Sequence, residues 1–246
     1  MGADGGAENG GEAKEADIVS PSGRAKVVVT RTSQHPYVMN LSFLEISSLR
    51  DLPAKLNIVA PPKEAAASAD DAAKPHHEKK HEPHRRRRLK CCSVRLSNNR
   101  IASIEGTPDD EFSQLSAALN EVVVDIGALR WIDLSFNSIS RTGDAFSAFP
   151  DVTVLYLHAN NISSFSQVKP LGELKDLRSL TLHGNPIEDK KHYRTFVIHM
   201  IPTLTHLDFS TITRQDRETA AAWALTFRKK LAGRGDDDDP MQGMPV

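Results

Sequence analysis

Residues 129–139 read LRWIDLSFNSI, residues 152–162 read VTVLYLHANNI, and residues 177–187 read LRSLTLHGNPI. In register, the three stretches share apolar residues at positions one, four, six and eleven and an asparagine at position nine. CCSVRLSNNRI at 91–101 keeps the same frame, and LTHLDFSTIT at 204–213 keeps the apolar positions but lacks the asparagine. Asn99, Asn137, Asn160 and Asn185 fill the polar slot, each followed two residues on by an isoleucine. Such recurrence in one frame sets the whole architecture and outranks any local reading.

The template L-x-x-L-x-L-x-x-N-x-I is the leucine-rich repeat signature. Positions four and six alternate as a short strand does, so Val94/Leu96, Ile132/Leu134, Leu155/Leu157 and Leu180/Leu182 point inward. The fold expected is α/β: a leucine-rich repeat solenoid of about five repeats, with a parallel β-sheet on the concave face and a helical C-terminal cap. An asparagine amide donates and accepts at once, so the four asparagines form a structural ladder where the chain leaves each strand.

Asparagine spacing runs 38, 23 and 25 residues along the ladder. Ile162, Phe165, Val168, Leu171, Leu174 and Leu177 recur every third position, which predicts 3₁₀-like turns on the convex side. Inside the longest gap, Thr107-Pro108-Asp109-Asp110-Glu111 predicts a helix start, with Phe112, Leu115 and Leu119 as its buried stripe. Residues 185–202 predict a helix with Tyr193, Phe196, Val197 and Met200 facing in. Thr213 and Asp216 form an approximate capping box before Trp223, Phe227 and Leu231, which share a helical face.

Outside the repeats the composition changes. Residues 1–36 are expected to be a disordered acidic head, since six of the 14 glycines fall in the first 23 residues. Residues 37–59 carry Leu41, Leu44, Ile46, Leu49 and Leu52 and are expected to cap the N-terminal end. Residues 60–88 form a His/Arg-rich low-complexity linker, 89–231 the repeat domain with its cap, and 232–246 a disordered acidic tail holding Asp236–Asp239.

The endings around Asn185-Pro186, Tyr193-Arg194 and LDFS at 207–210 resemble the terminal cap of short leucine-rich repeats in intracellular adaptors. Phosphatase regulators, a spliceosomal adaptor and axonemal dynein light chains carry such caps. RWIDLSFNSI, TVLYLHANNI, LRSLTLHGNPIEDKKHYR and LDFSTITRQDRETAAAW are similar to the leucine-rich repeat-containing protein 51 family over roughly 89–228. The resemblance implies a small, cytoplasmic, non-enzymatic adaptor. By analogy it points to the cilium or axoneme, with an axonemal or cytoskeletal protein partner.

Charge and motifs narrow the function. With 31 basic and 32 acidic side chains the net charge is −1, so whole-molecule attraction to nucleic acid or anionic membrane is not expected. No run approaches the ~18 apolar residues of a membrane helix. The glycine-rich acidic start is unlike a targeting peptide. Two adjacent cysteines, Cys91 and Cys92, build no disulfide framework; Cys91 takes an inward slot.

His77-Glu78-Lys79-Lys80-His81 spells the zinc-protease motif, yet it stands between Pro75 and Pro83 without an apolar face. No metal site, catalytic residue, cofactor or small-molecule substrate is therefore expected. Arg85, Arg86, Arg87 and Arg88 form the dense basic tract. They are a solvated charge run or, in an alternative reading, the contact of a nuclear or RNA-associated adaptor.

Outward strand slots supply the candidate site. Their three stripes are Ser93, Trp131, Val154, Ser179, His206; then Arg95, Asp133, Tyr156, Thr181, Asp208; then Ser97, Ser135, His158, His183, Ser210. The chain has two Trp and three Tyr, and Trp131 and Tyr156 fall on neighbouring strands with Phe136 at the rim. Aromatics among small polar residues have the composition of a binding hot spot. The expected partner-binding set is Arg95, Trp131, Asp133, Phe136, Val154, Tyr156, His158, Thr181, His183, His206 and Asp208. The competing reading packs Trp131 under the 108–119 helix.

Overall fold

Alternation of inward leucines with outward polar residues yields very short strands stacked side by side. The computed structural model describes residues 38–52, 56, 88, 90–106 and 113–225, with the backbone alone of 16–19, 26–30 and 226–231. In chain order the strands are β1 (Ala16–Val19), β2 (Lys26–Thr30), β3 (Val38–Asn40), β4 (Ser93–Arg95), β5 (Trp131–Asp133), β6 (Val154–Tyr156), β7 (Ser179–Thr181), β8 (His206–Leu207) and β9 (Ser210–Thr211). They form one sheet in sequence order. Strands β3 to β8 run parallel, while β1–β2, β2–β3 and β8–β9 pair antiparallel.

Two expectations change at the N-terminal end. The segment at 37–59 supplies a sixth parallel strand, with Met39 beside Val94 and with Leu41 and Ile46 fully buried in the repeat slots. Its described part continues the repeat frame at the end where a cap is expected, because its apolar spacing matches the template although Leu44 stands in the asparagine slot. Within 1–36, expected to lack structure, Ala16–Val19 and Lys26–Thr30 are strands. Their β-branched runs pair along the free edge of β3, which leaves fewer unpaired backbone groups there.

The ladder asparagines bind the repeats together. Asn160 donates to Leu134 O and Leu157 O, both at 3.0 Å, and accepts from Ile139 N at 3.0 Å. Asn185 donates to Leu157 O and Leu182 O and accepts from Ile162 N. Asn137 and Asn99 repeat the pattern one and two steps earlier. Each amide thus satisfies its own strand, the preceding strand and the preceding turn, groups that would otherwise lie buried and unpaired. The residue just before each ladder asparagine takes a left-handed conformation, as does Phe43 before Leu44 in the same slot: Phe43, Asn98, Phe136, Ala159 and Gly184 have φ between 54° and 69°. That reversal turns the chain inward to deliver the next side chain.

On the convex side, Ser164 caps the 3₁₀ turn Phe165–Gln167 and Lys169–Glu173 follows as a second, as the period of three predicts. Helix α1 spans Gln114–Val122, shorter at its start than expected. Ser113, extended at φ −61° and ψ 153°, accepts from Ser116 N and begins the helix there; residues 107–112 lie outside the described residues. Leu115 and Leu119 are fully buried, and α1 packs against the 3₁₀ turn Leu49–Asp51.

Helix α2 (Tyr193–Met200) buries Tyr193, Phe196 and Val197, and Gly172 passes close beneath its end. A Cβ at Gly172 would stand 2.7 Å from Met200 O. Helix α3 (Arg214–Leu231) packs on α2. Its reciprocal cap is complete: Thr213 N donates to Asp216 Oδ2 at 2.9 Å, and Asp216 N to Thr213 Oγ1 at 3.1 Å. Trp223 packs edge-on against Phe196 at 6.1 Å, while the side chains of Phe227 and Leu231 lie outside the described residues. Among the described residues no helix is long and apolar enough to cross a membrane.

Candidate functional site

Parallel register fixes which outward side chains are neighbours. Ser93, Trp131, Val154, Ser179 and His206 line up across β4 to β8, and Arg95, Asp133, Tyr156 and Thr181 form the adjacent row. Trp131 and Tyr156 meet edge to face, centroids 5.8 Å apart and planes at 89°. The Arg95 guanidinium lies over the Trp131 ring at 5.1 Å. Tyr156 continues to His158 at 6.0 Å, which stacks on His183 at 4.7 Å. Phe136, 53 % exposed, meets His158 at 5.2 Å. This joins the sequence candidates Trp131, Tyr156, Phe136, His158, His183 and Arg95 into one continuous patch. Helix α1 packs against the 3₁₀ turn Leu49–Asp51, with Leu115 N donating to Ile104 O and the cap Ser113 Oγ to Ala145 O, whereas the ring contacts described for Trp131 are with Tyr156 and Arg95.

Three candidates are engaged by the protein's own groups. Asp133 is buried, accepting from Ser135 N at 3.0 Å and Ser135 Oγ at 2.6 Å, with Arg95 Nε 3.4 Å away. Thr181 is fully buried, and its Oγ1 lies 2.9 Å from His158 Nδ1. Asp208 accepts from Leu182 N at 2.7 Å, His183 N at 2.9 Å and Tyr193 Oη at 2.8 Å. Short side chains in outward slots between long neighbours are covered by them, which slot counting cannot register. Val154 is half-buried and His206 exposed, its Nδ1 3.0 Å from Thr205 Oγ1.

The fifth copy departs from the template. Phe209, expected in the inward slot, points out and is 61 % exposed. Asp208 and Phe209 both have positive φ, 52° and 60°, and make the two-residue turn of the β8–β9 hairpin. Ser210 therefore lies in β9 and not in the third stripe. Among the described residues no following amide reaches back to this copy as Asn99 does to Leu41 O, and Asp208 tolerates the left-handed turn. The turn lays Phe209 over the patch, 5.5 Å from Tyr156 and His183 and 5.9 Å from His158. Phe43, 73 % exposed, was also unsignalled except by its equivalence in frame to Phe136.

Burial and the neighbouring His183 push the His158 imidazole below its ordinary pKa, against the opposing pull of Asp133 and Asp208. Burial, then the Asp208 carboxylate, holds the Tyr193 hydroxyl protonated and donating. Burial pushes the Cys91 thiol up to about 12, as suits a core residue. Residues 77–81 and Arg85–Arg87 lie outside the described residues; Arg88 is exposed.

Residues 121–234 match the family model described as leucine-rich repeat. The folded block has the leucine-rich repeat fold. The chain is similar to leucine-rich repeat-containing protein 51 of Mus musculus, 50 % identical over 95 residues that cover 39 % of this chain and 50 % of the mouse protein. The Homo sapiens protein of that name is 40 % identical over 131 residues, covering 53 % of this chain and 64 % of its own length. The chain thus spans half to about two thirds of these relatives. A chain in the crystal structure of the Drosophila melanogaster SNF/U2A′ complex superposes with a TM-score of 0.56 at 20 % identity, covering 84 % of this chain and 91 % of that one. That likeness shows the shared leucine-rich repeat fold.

Proposed function

We propose that this leucine-rich repeat domain is a non-enzymatic protein-interaction adaptor that grips a protein partner on its concave face. The observation that carries the reading is the aromatic patch of Trp131, Tyr156 and Phe209, assembled from two neighbouring strands and the terminal hairpin. A sheet holds these rings before binding, so less side-chain entropy is lost when a partner covers them. Trp and Tyr at the centre of a contact surface are the residues whose truncation most weakens binding. The setting proposed with it, a cytoplasmic and ciliary or cytoskeletal assembly, is supported by the sequence resemblance alone.

Proximity labelling in cells, followed by pull-down with Trp131→Ala and Tyr156→Ala, tests the reading. Either variant should stay folded by circular dichroism and lose roughly 2 kcal/mol or more of partner binding. Undiminished binding by folded variants would overturn it. Steeply salt-dependent RNA binding, abolished by neutralising Arg85–Arg88, would favour a nucleic-acid role instead.

A further inference from the structure

On the concave face Asp133 and Asp208 are covered by their neighbours while Arg95 is open to solvent. The Asp133 side chain is 9 % exposed and engaged by Ser135 and Arg95, and Asp208 is engaged by Leu182, His183 and Tyr193. The Arg95 side chain by contrast is 45 % exposed. Its Nε faces Asp133 at 3.4 Å and its Cζ stands over Trp131, so the guanidinium is fixed at its base by an ion pair and a ring. Among the described residues neither of its two terminal nitrogens has a partner. One strand beyond Asp133 in the same row, the Tyr156 hydroxyl has no partner among the described residues either.

A planar guanidinium with its fork open matches a carboxylate in two parallel hydrogen bonds, which a diffuse positive field does not. Beside it lies apolar ring surface from Trp131, Tyr156 and Phe209. Resting on the concave-face reading above, we propose that the site recognises an acidic peptide segment. A glutamate or aspartate carboxylate of that segment engages the Arg95 fork, and an adjacent aliphatic or aromatic side chain lies on the Trp131–Tyr156–Phe209 rings. In these rows the described carboxylates, Asp133 and Asp208, are already engaged, so a basic segment finds no open partner there and would be repelled by Arg95. Charge complementarity thus selects the sign of the partner and the rings supply the buried area.

The experiment is selection of a random dodecapeptide library on the immobilised full chain, in parallel on Arg95→Gln and Trp131→Ala, with thermal unfolding as the folding control. Peptides enriched on the unaltered chain should carry aspartate or glutamate next to leucine, phenylalanine or tryptophan. Arg95→Gln should lose the acidic preference while keeping the apolar one, and weaken the strongest selected peptide about tenfold or more in fluorescence anisotropy. Arg95→Lys, keeping the charge without the fork, should recover only part of that. Neutral or basic enriched sequences, no enrichment, or unchanged affinity on Arg95→Gln would overturn the acidic assignment. Sequences still enriched on folded Trp131→Ala would instead overturn the concave-face reading. The two failures are thus distinct.

Discussion

His158 and His183 lie face to face on adjacent repeats, ring centroids 4.7 Å apart and planes 7° from parallel. Thr181 Oγ1 holds the first ring at 2.9 Å, and the Asp208 carboxylate stands 3.4 Å from Nδ1 of the second. Phe209 covers both from the hairpin. The contact with His183 adds to burial in disfavouring the charged form of His158.

The pH dependence of stability follows from the lowered pKa of His158. Its ordinary value is 6.5. Between that value and the lower folded one, the unfolded chain binds a proton that the folded chain does not, so stability falls as pH drops through this window and is complete above it. Thermal unfolding across mildly acidic pH should show the loss, and His158→Gln should make the slope shallower. An unchanged slope in the variant would remove His158 as the cause.

Leu157 sits fully buried in the central repeat, and its carbonyl accepts from both Asn160 and Asn185. Leu157→Ala should destabilise the domain by ~2–5 kcal/mol, the usual range for a core leucine truncation. Urea unfolding measures it, and a midpoint near that of the unaltered chain would contradict the repeat register.

Asn160→Asp separates the two halves of the ladder bond. The remaining carboxylate can still accept from Ile139 N, but the donors to Leu134 O and Leu157 O are gone and a charge faces two carbonyls. A cost of ~3 kcal/mol or more is expected, since buried acceptors lose partners beside an unpaired charge. Asn160→Ala should also destabilise. If aspartate proved harmless, the amide donors would not be holding the strands.

Tyr193→Phe removes the hydroxyl that donates to Asp208 Oδ2 at 2.8 Å while keeping the buried ring. Leu182 N and His183 N still hold the other oxygen, so the fold should survive with a loss of ~1.5–3 kcal/mol. The same change should loosen the Asp208–Phe209 turn and weaken binding at the concave patch. Hydrogen exchange of the amides at 206–211 reads this directly; unaltered protection there would show that Tyr193 does not brace the hairpin.

The sequence by itself determined the repeat frame. Leu155, Leu157 and Asn160 occupy fixed slots because strand alternation and an amide's dual bonding are local properties that recur at each copy. From that frame the pairing of Trp131 with Val154 and of Asp133 with Tyr156 follows by counting. Only the tertiary structure decided which outward slots remain open. Asp133 and Thr181 are covered and Arg95 is not, since coverage depends on the lengths of neighbours far apart in sequence. Only it decided, too, that Phe209 turns onto the patch. The backbone of Asp208-Phe209 takes its left-handed turn where Tyr193, His183 and the free edge of β8 meet, and no spacing along the chain encodes that meeting.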